Sequence, residues 1–152
     1  MRIFAPALSG LFLSMVAATA QTDDYIMKQA IGETAGDLQI CSVYFMIGST
    51  CLTNQRPDLA ASYQQSGEKV LALAIAGFQS VGVSDAAITA QGSMYTEAMM
   101  NAMNRNCTNI AVLLQRYLKF CQQLSQGPDL RLKEWIACAR ANQPTCGGPG
   151  LP

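Results

Sequence analysis

The sequence contains no histidine among its 152 residues. Histidine is the commonest general base near neutral pH, a frequent metal ligand, and the usual partner of a catalytic serine or cysteine. Charged residues make up only 13 % of the chain, with ten basic and ten acidic side chains. No cluster of lysine and arginine is present to attract phosphate, so we expect no nucleic-acid partner. These absences predict a protein that is not an enzyme and that uses no cofactor.

The chain also lacks an apolar run of the roughly 20 residues that a membrane span needs. Its N-terminal apolar stretch, Ile3 to Val16, follows the basic Arg2 and precedes an Ala18-Thr19-Ala20 sequence. This order is typical of a cleaved secretory signal peptide over residues 1–20, with an uncleaved membrane anchor as the alternative. We therefore expect a periplasmic or secreted protein that has no membrane span after cleavage.

The rest of the chain is long enough for one domain with one hydrophobic core, and half of the whole sequence is apolar. We expect a helical domain over residues 21–144. The last residues, 145–152, are rich in glycine and proline and predict a flexible tail.

Six cysteines follow the predicted signal peptide, and an even number in an exported chain indicates disulfides. Zinc binding is the competing interpretation. It is disfavoured because the chain has neither histidine nor a C-x-x-C spacing. We expect no metal site built from these cysteines, which are Cys41, Cys51, Cys107, Cys121, Cys138 and Cys146.

Apolar residues recur at helical spacing through most of the chain. The first helix is expected from Asp23 to about Gly48, with an apolar stripe from Met27 to Phe45 that includes Cys41. An irregular segment is expected over residues 48–50. The second is expected at 57–81, and its segment 70–78 (VLALAIAGF) predicts packing by neighbours on all sides.

A third helix is expected at 84–104, ended by a turn at Asn104, Arg105 and Asn106. The fourth is expected at 107–126 with Cys107 and Cys121 on one core-facing stripe, and a short fifth helix follows at 129–141. Short connections between helices predict an all-α fold, namely a disulfide-stapled up-down four-helix bundle with a short fifth C-terminal helix.

The bundle topology also predicts the disulfide pairing. When two helices are antiparallel, the position numbers of two residues at the same height add to a nearly constant value. The sums differ by only four for Cys51–Cys107 and Cys41–Cys121, and by 24 for the swapped pairs. We therefore expect these two disulfides between the first and fourth helices. Cys138 and Cys146 remain as the third pair.

Glu33 and Asp37 lie one turn apart on the first helix. They could form a paired acid and base. We expect instead that both lie on a solvated polar face.

Methionine and tyrosine are the most suggestive residues apart from cysteine. Four methionines fall within ten residues of the third helix, and thioethers can bind Cu(I), although methionine also fills irregular core space. A third interpretation is an adaptable apolar ligand pocket. The residues expected to line it are Met46, Met94, Met99, Met103, Tyr95 and Tyr117.

Two functions are compatible with these features. The first is an exported, non-catalytic protein-interaction module of the bacterial periplasm or exterior. It would have an unknown protein partner, and a homodimer is compatible with it. The alternative is a carrier or sensor of a small apolar ligand bound between the helices.

Overall fold

The computed structural model describes residues 22–141, 143 and 146–149, and every regular element among them is helical. The predicted signal peptide and residues 145 and 150–152 of the predicted tail lie outside this described part. The five α-helices are α1 (Asp23–Leu52), α2 (Pro57–Ser80), α3 (Asp85–Ala102), α4 (Ala111–Gln126) and α5 (Pro128–Arg140), with a 3-10 turn at Cys107–Asn109 between α3 and α4. The predicted fold class, a disulfide-stapled helical bundle with a short fifth helix, is confirmed.

Local sequence explains where these helices begin and end. Thr22 and Ser84 cap α1 and α3, since their hydroxyl oxygens accept hydrogen bonds from main-chain N–H groups of the first turn. Pro57 occupies the first position of α2, where its missing N–H costs nothing. Asn104 and Arg105 adopt positive φ angles of 52° and 54° and make the predicted turn after α3.

The 30-residue helix α1 is central, because it contacts each of the other four helices. Disulfides join Cys41 to Cys121 and Cys51 to Cys107, so positions rise along α1 as they fall along α4, and the two helices are antiparallel. The third disulfide joins Cys138 to Cys146. All three are the pairs expected from the sequence.

The hydrophobic core lies where α1, α2, α3 and α4 meet. Tyr44 is fully buried there, and its hydroxyl lies 3.1 Å from the hydroxyl of Tyr63 on α2. The rings of Phe45 and Tyr117 also contact Tyr44, with centroid distances of 5.1 and 5.9 Å. Among the described residues, no helix has both the length and the apolar character of a membrane span.

The expected irregular segment at residues 48–50 is wrong, because α1 continues to Leu52. Gly48 is helical and packs against the ring of Tyr63, which would collide with any side chain at that position. The Thr50 hydroxyl donates to the main-chain oxygen of Met46, four residues earlier in the same helix. The α1 stripe also begins differently, since Ile26 is buried and Met27 is 43 % exposed.

The placement of Cys107 on the fourth helix is also wrong. Cys107 is exposed and lies in the 3-10 turn, whereas Cys121 is fully buried on α4. The difference of four between the two sums of position numbers is therefore accommodated by this turn, because α1 is helical through Leu52.

Segment 70–78 of α2 is helical as expected but is not packed on all sides. Val70, Ala74 and Phe78 are buried, whereas Ala72 and Leu73 on the opposite face are exposed. The physical reason is that α2 lies at the edge of the bundle, and one of its faces meets solvent.

Candidate ligand-binding groove

The six residues expected to form a pocket are not brought together. Met94 and Met46 are 52 % and 41 % exposed, on α3 and α1 respectively. The other four are buried in the main hydrophobic core, and they are Tyr95, Met99, Met103 and Tyr117. The predicted Met and Tyr pocket is therefore mostly solid core, and only Met46 lines the groove described next.

A groove of about 740 Å³ lies between α1 and α3, with two residues of α2 in its wall. Several of its lining residues, such as Thr50 and Ser93, are exposed, so the groove opens to solvent. Its lining consists of Gln39, Ser42, Val43, Met46, Ile47, Thr50 and Cys51 from α1, Leu71 and Ile75 from α2, Ile88, Thr89, Gly92, Ser93, Thr96, Glu97 and Met100 from α3, and Cys107.

The groove is elongated along the helix axes. Its walls run from residue 39 to residue 51 on α1 and from residue 88 to residue 100 on α3. At 1.5 Å of rise per residue, each wall is about 18 Å long. The two helices run in the same direction, because Gln39 contacts Ile88 at one end and Cys51 is bonded to Cys107 at the other.

The space exists because α3 is held at its two ends and carries small side chains between them. At the first end, Ile88 packs with Phe78 and Ala35 in a small separate core. At the other end, the Cys51–Cys107 disulfide fixes the chain that follows α3. Toward its far end the groove face of α3 carries Glu97 and Met100, whereas the part before them consists of Thr89, Gly92, Ser93 and Thr96. These side chains are too short to fill the distance to α1.

The lining is mainly apolar and almost uncharged. Val43, Met46, Ile47 and Met100 supply apolar surface along its length. Among the described residues that line the groove, Glu97 alone is ionisable, since both cysteines are bonded. The Glu97 carboxylate is exposed and is hydrogen-bonded to Arg105. The groove is suited to burying hydrocarbon and has no charge in its interior.

Two buried polar side chains, Gln39 and Ser42, interrupt the apolar wall, and Gln39 has an unsatisfied atom. Gln39 is 2 % exposed, and its Nε2 donates to the main-chain oxygen of Ile88 at 2.7 Å. Its Oε1 is buried and has no hydrogen-bond donor among the described residues. Gly92 lies directly beside this amide, and a Cβ there would approach Nε2 to 3.0 Å.

Few of the side-chain types that commonly act in catalysis lie in the described lining of the groove. Its serine and threonine hydroxyls have no histidine beside them, because the chain has none. All six cysteines are in disulfides, so none is available as a nucleophile. In the described part of the chain, no group of three or more acidic or cysteine side chains is placed to hold a metal ion.

The most conspicuous charged cluster lies away from the groove, where α5 meets α1. Asp37 is 8 % exposed, and its Oδ2 accepts from Arg131 Nε at 2.7 Å and from Trp135 Nε1 at 2.9 Å. Arg131 Nη1 also donates to Glu134 at 2.8 Å. The expected solvated position of Asp37 is therefore wrong, whereas Glu33 is exposed as expected.

Arg131 on α5 contacts α1, α4 and the C-terminal residues, and its Nε, Nη1 and Nη2 atoms all donate hydrogen bonds. Its guanidinium lies against the rings of Phe120 and Trp135, at 5.4 and 5.0 Å. It also donates to the main-chain oxygens of Cys146 and Gly147. Burial by itself lowers the pKa of Arg131, but hydrogen bonds to Glu134 and Asp37 outweigh it and the pKa is raised. This cation is therefore permanent and structural.

A second cleft, of about 730 Å³, lies beside this cluster and includes Gly147 to Pro149 in its wall. Its two cations are Arg131, paired as described, and Arg116, whose Nε donates to the main-chain oxygen of Pro149 at 2.9 Å. Because both are already engaged by groups of the chain, the cleft is poorly suited to an anionic ligand.

Gln39 and Gly92 are among the many groove residues that the sequence pattern does not single out. The signal that could have found the groove is the spacing of Thr89, Gly92, Ser93 and Thr96, which places small residues on one face of α3. Gln39 carries no such signal, because a glutamine beside a core stripe usually points to solvent.

Comparison with known proteins assigns the chain to no family. No protein-family model, curated protein or solved structure matches it.

Proposed function

We propose that this protein is an exported, non-catalytic binding protein that holds one small, elongated apolar ligand in the groove between α1 and α3. The groove volume of about 740 Å³ carries this proposal. It lies within the range of about 300–1,000 Å³ that is typical of small-molecule sites. The largely apolar lining with a few polar groups is also typical of such sites.

A small molecule can be enclosed by the groove, whereas a helix of a partner protein would lie only partly within it. A helix as long as the groove, about 18 Å, and about 10 Å across occupies roughly 1,400 Å³. That is about twice the volume of the groove. A single extended chain matches the length of the groove and fits within its volume.

The disulfides support the proposal that the protein is exported. Two of them join distant parts of the chain, and such bonds form and persist in oxidising compartments. The bacterial periplasm or exterior suggested by the N-terminal sequence is a compartment of this kind.

The protein-interaction module, with an unknown partner or a second copy of the chain, stays a prediction. Its expected signature is a large exposed apolar patch or an oligomer interface. The most exposed large apolar side chains are Leu130, Tyr25, Met94 and Val112, and they lie on four different helices. Their positions on four helices do not by themselves identify such a patch, so the groove is the first site to test.

The proposal is tested by titrating the disulfide-bonded chain with the fluorescent apolar probe N-phenyl-1-naphthylamine. Ser93→Phe places a ring at the groove, so we expect its probe affinity to fall at least tenfold. Ala90→Phe is the matched control, because Ala90 is exposed on the same helix and does not line the groove. Circular dichroism verifies that both variants fold. Equal affinity in the two variants, or no binding to the unmodified chain, contradicts the proposal.

A further inference from the structure

The unpaired amide oxygen of Gln39 defines what the groove lacks. Gln39 Nε2 donates to the main-chain oxygen of Ile88, and this fixes the orientation of the amide, because a carbonyl accepts only from the NH₂ group. The Oε1 atom is therefore an acceptor, buried and without a donor in the described part of the chain. A buried acceptor without a donor makes the protein less stable, and a ligand that donates a hydrogen bond to it recovers this free energy.

Gln39 lines the groove at its Ile88 end, so a ligand bound at this end lies beside the Gln39 side chain. Gly92 is the α3 residue nearest to it, and even one methyl group there would press against the Gln39 side chain. Thr89 and Ile88, on the same face, complete this end of the groove.

The charges around the groove restrict the head group further. Among the described lining residues there is no lysine or arginine to neutralise an anion, so a buried carboxylate head would remain unpaired. The one carboxylate, Glu97, lies toward the far end of α3 from Gln39 and is already bonded to Arg105. A cationic head beside Gln39 would also lack a counter-charge.

We infer that the ligand is a neutral amphiphile, an extended hydrocarbon chain whose hydroxyl head group donates a hydrogen bond to Gln39 Oε1. This inference rests on the proposed function and adds the chemical class of the ligand. The hydrocarbon chain lies along the wall formed by Val43, Met46 and Ile47, and the head lies at the Gln39 end.

The experiment compares three competitors of equal chain length in displacing N-phenyl-1-naphthylamine from the disulfide-bonded chain. They are 1-dodecanol, its methyl ether and dodecanoate. The ether has the same chain but cannot donate a hydrogen bond, and the carboxylate is charged. We expect the alcohol to bind at least tenfold more tightly than either competitor, since a site built around one polar partner rejects analogues that lack it.

The variant Gln39→Met removes the acceptor and keeps a side chain of similar length. In this variant the ratio of alcohol to ether affinity should fall to about one, while Ala90→Phe should retain the unmodified ratio. The comparison of competitors in the unmodified chain needs no variant, so the inference stays testable even if Gln39→Met does not fold.

The outcomes separate this inference from the proposed function. Equal affinity for alcohol and ether, with both lost in Ser93→Phe, overturns the head-group inference and leaves the groove as the binding site. Tighter binding of dodecanoate also overturns the neutral head group. Failure of the probe and of every competitor to bind overturns the proposed function together with the inference.

Discussion

Gln39 on α1 donates a buried hydrogen bond from its Nε2 to the main-chain oxygen of Ile88 on α3, at 2.7 Å. The two residues are 49 positions apart, so this bond fixes the height of α3 against α1. It lies at one end of the groove, and the Cys51–Cys107 disulfide lies at the other. The groove therefore has two fixed ends, and small side chains line the α3 wall between them.

Arg131→Met should lower the free energy of unfolding by about 3–5 kcal/mol, because it leaves the buried Asp37 carboxylate without its counter-ion. Urea denaturation measures the loss. Adding Asp37→Asn should restore part of it, since no unpaired charge then remains. The matched control is Arg140→Met. Arg140 pairs with the exposed Asp23, and its loss should cost less than about 1 kcal/mol. Similar losses in Arg131→Met and Arg140→Met would contradict a structural role for the buried pair.

Removing the Cys41–Cys121 disulfide should destabilise the fold more than removing Cys138–Cys146. The two bonds close loops with sequence separations of 80 and 8 residues. The chain-entropy model gives about 4.5 and about 2.5 kcal/mol for loops of these lengths. Thermal unfolding of the two paired Cys→Ala variants checks the order, and a reversed order would contradict the model for this chain.

The Cys51–Cys107 disulfide should be reduced before Cys41–Cys121 under limiting dithiothreitol. Cys107 is exposed, whereas Cys41 and Cys121 are fully buried, and thiol–disulfide exchange requires access to the sulfur. Alkylation followed by peptide mapping gives the order of reduction. Simultaneous reduction of both bonds would show that global unfolding, and not local exposure, controls access.

Stability should fall as the pH rises above about 10, the ordinary pKa of tyrosine. Burial raises the pKa of Tyr44, with a further contribution from its hydrogen bond to Tyr63, and burial also raises the pKa values of Tyr95 and Tyr117. Above pH 10 the unfolded chain loses these protons while the folded chain keeps them, so ionisation favours unfolding.

Each of these three tyrosines contributes a decrease of up to about 1.4 kcal/mol per pH unit. Urea denaturation at about pH 8, 9, 10 and 11 measures the decrease. Below pH 10 these three tyrosines should not lower the free energy of unfolding. A free energy of unfolding that stays constant to pH 11 would contradict the burial of the three hydroxyls.

The sequence predicts the helices and the disulfide pairing well because both depend on regular spacing. The pairing of Cys41 with Cys121 follows from the antiparallel arrangement of two helices, and an error of a few residues in a helix end does not change it. The end of α1 was predicted less well. Glycine usually weakens a helix, but at Gly48 the Tyr63 ring occupies the space of the missing side chain.

The candidate site was much less predictable. Asp37 is expected on a solvated face because helical spacing does not reveal its partner Arg131, which is 94 residues away in the sequence. Methionine content indicated a pocket, whereas Met99 and Met103 fill the core. The groove arises from the distance between α1 and α3, and a sequence pattern indicates which residues share a face but not how far apart two helices lie.

The most direct test of the central claim is to locate the ligand by amide chemical-shift mapping of the isotope-labelled, disulfide-bonded chain titrated with 1-dodecanol. We predict saturable shifts concentrated at residues 39–51 and 88–100, including the Gly92 and Ser93 amides. Residues near Arg131 and Gly147 should shift little, because they line the separate cleft. Shifts centred on that cleft, or no shifts at saturating alcohol, would contradict the assignment of the groove between α1 and α3 as the ligand site.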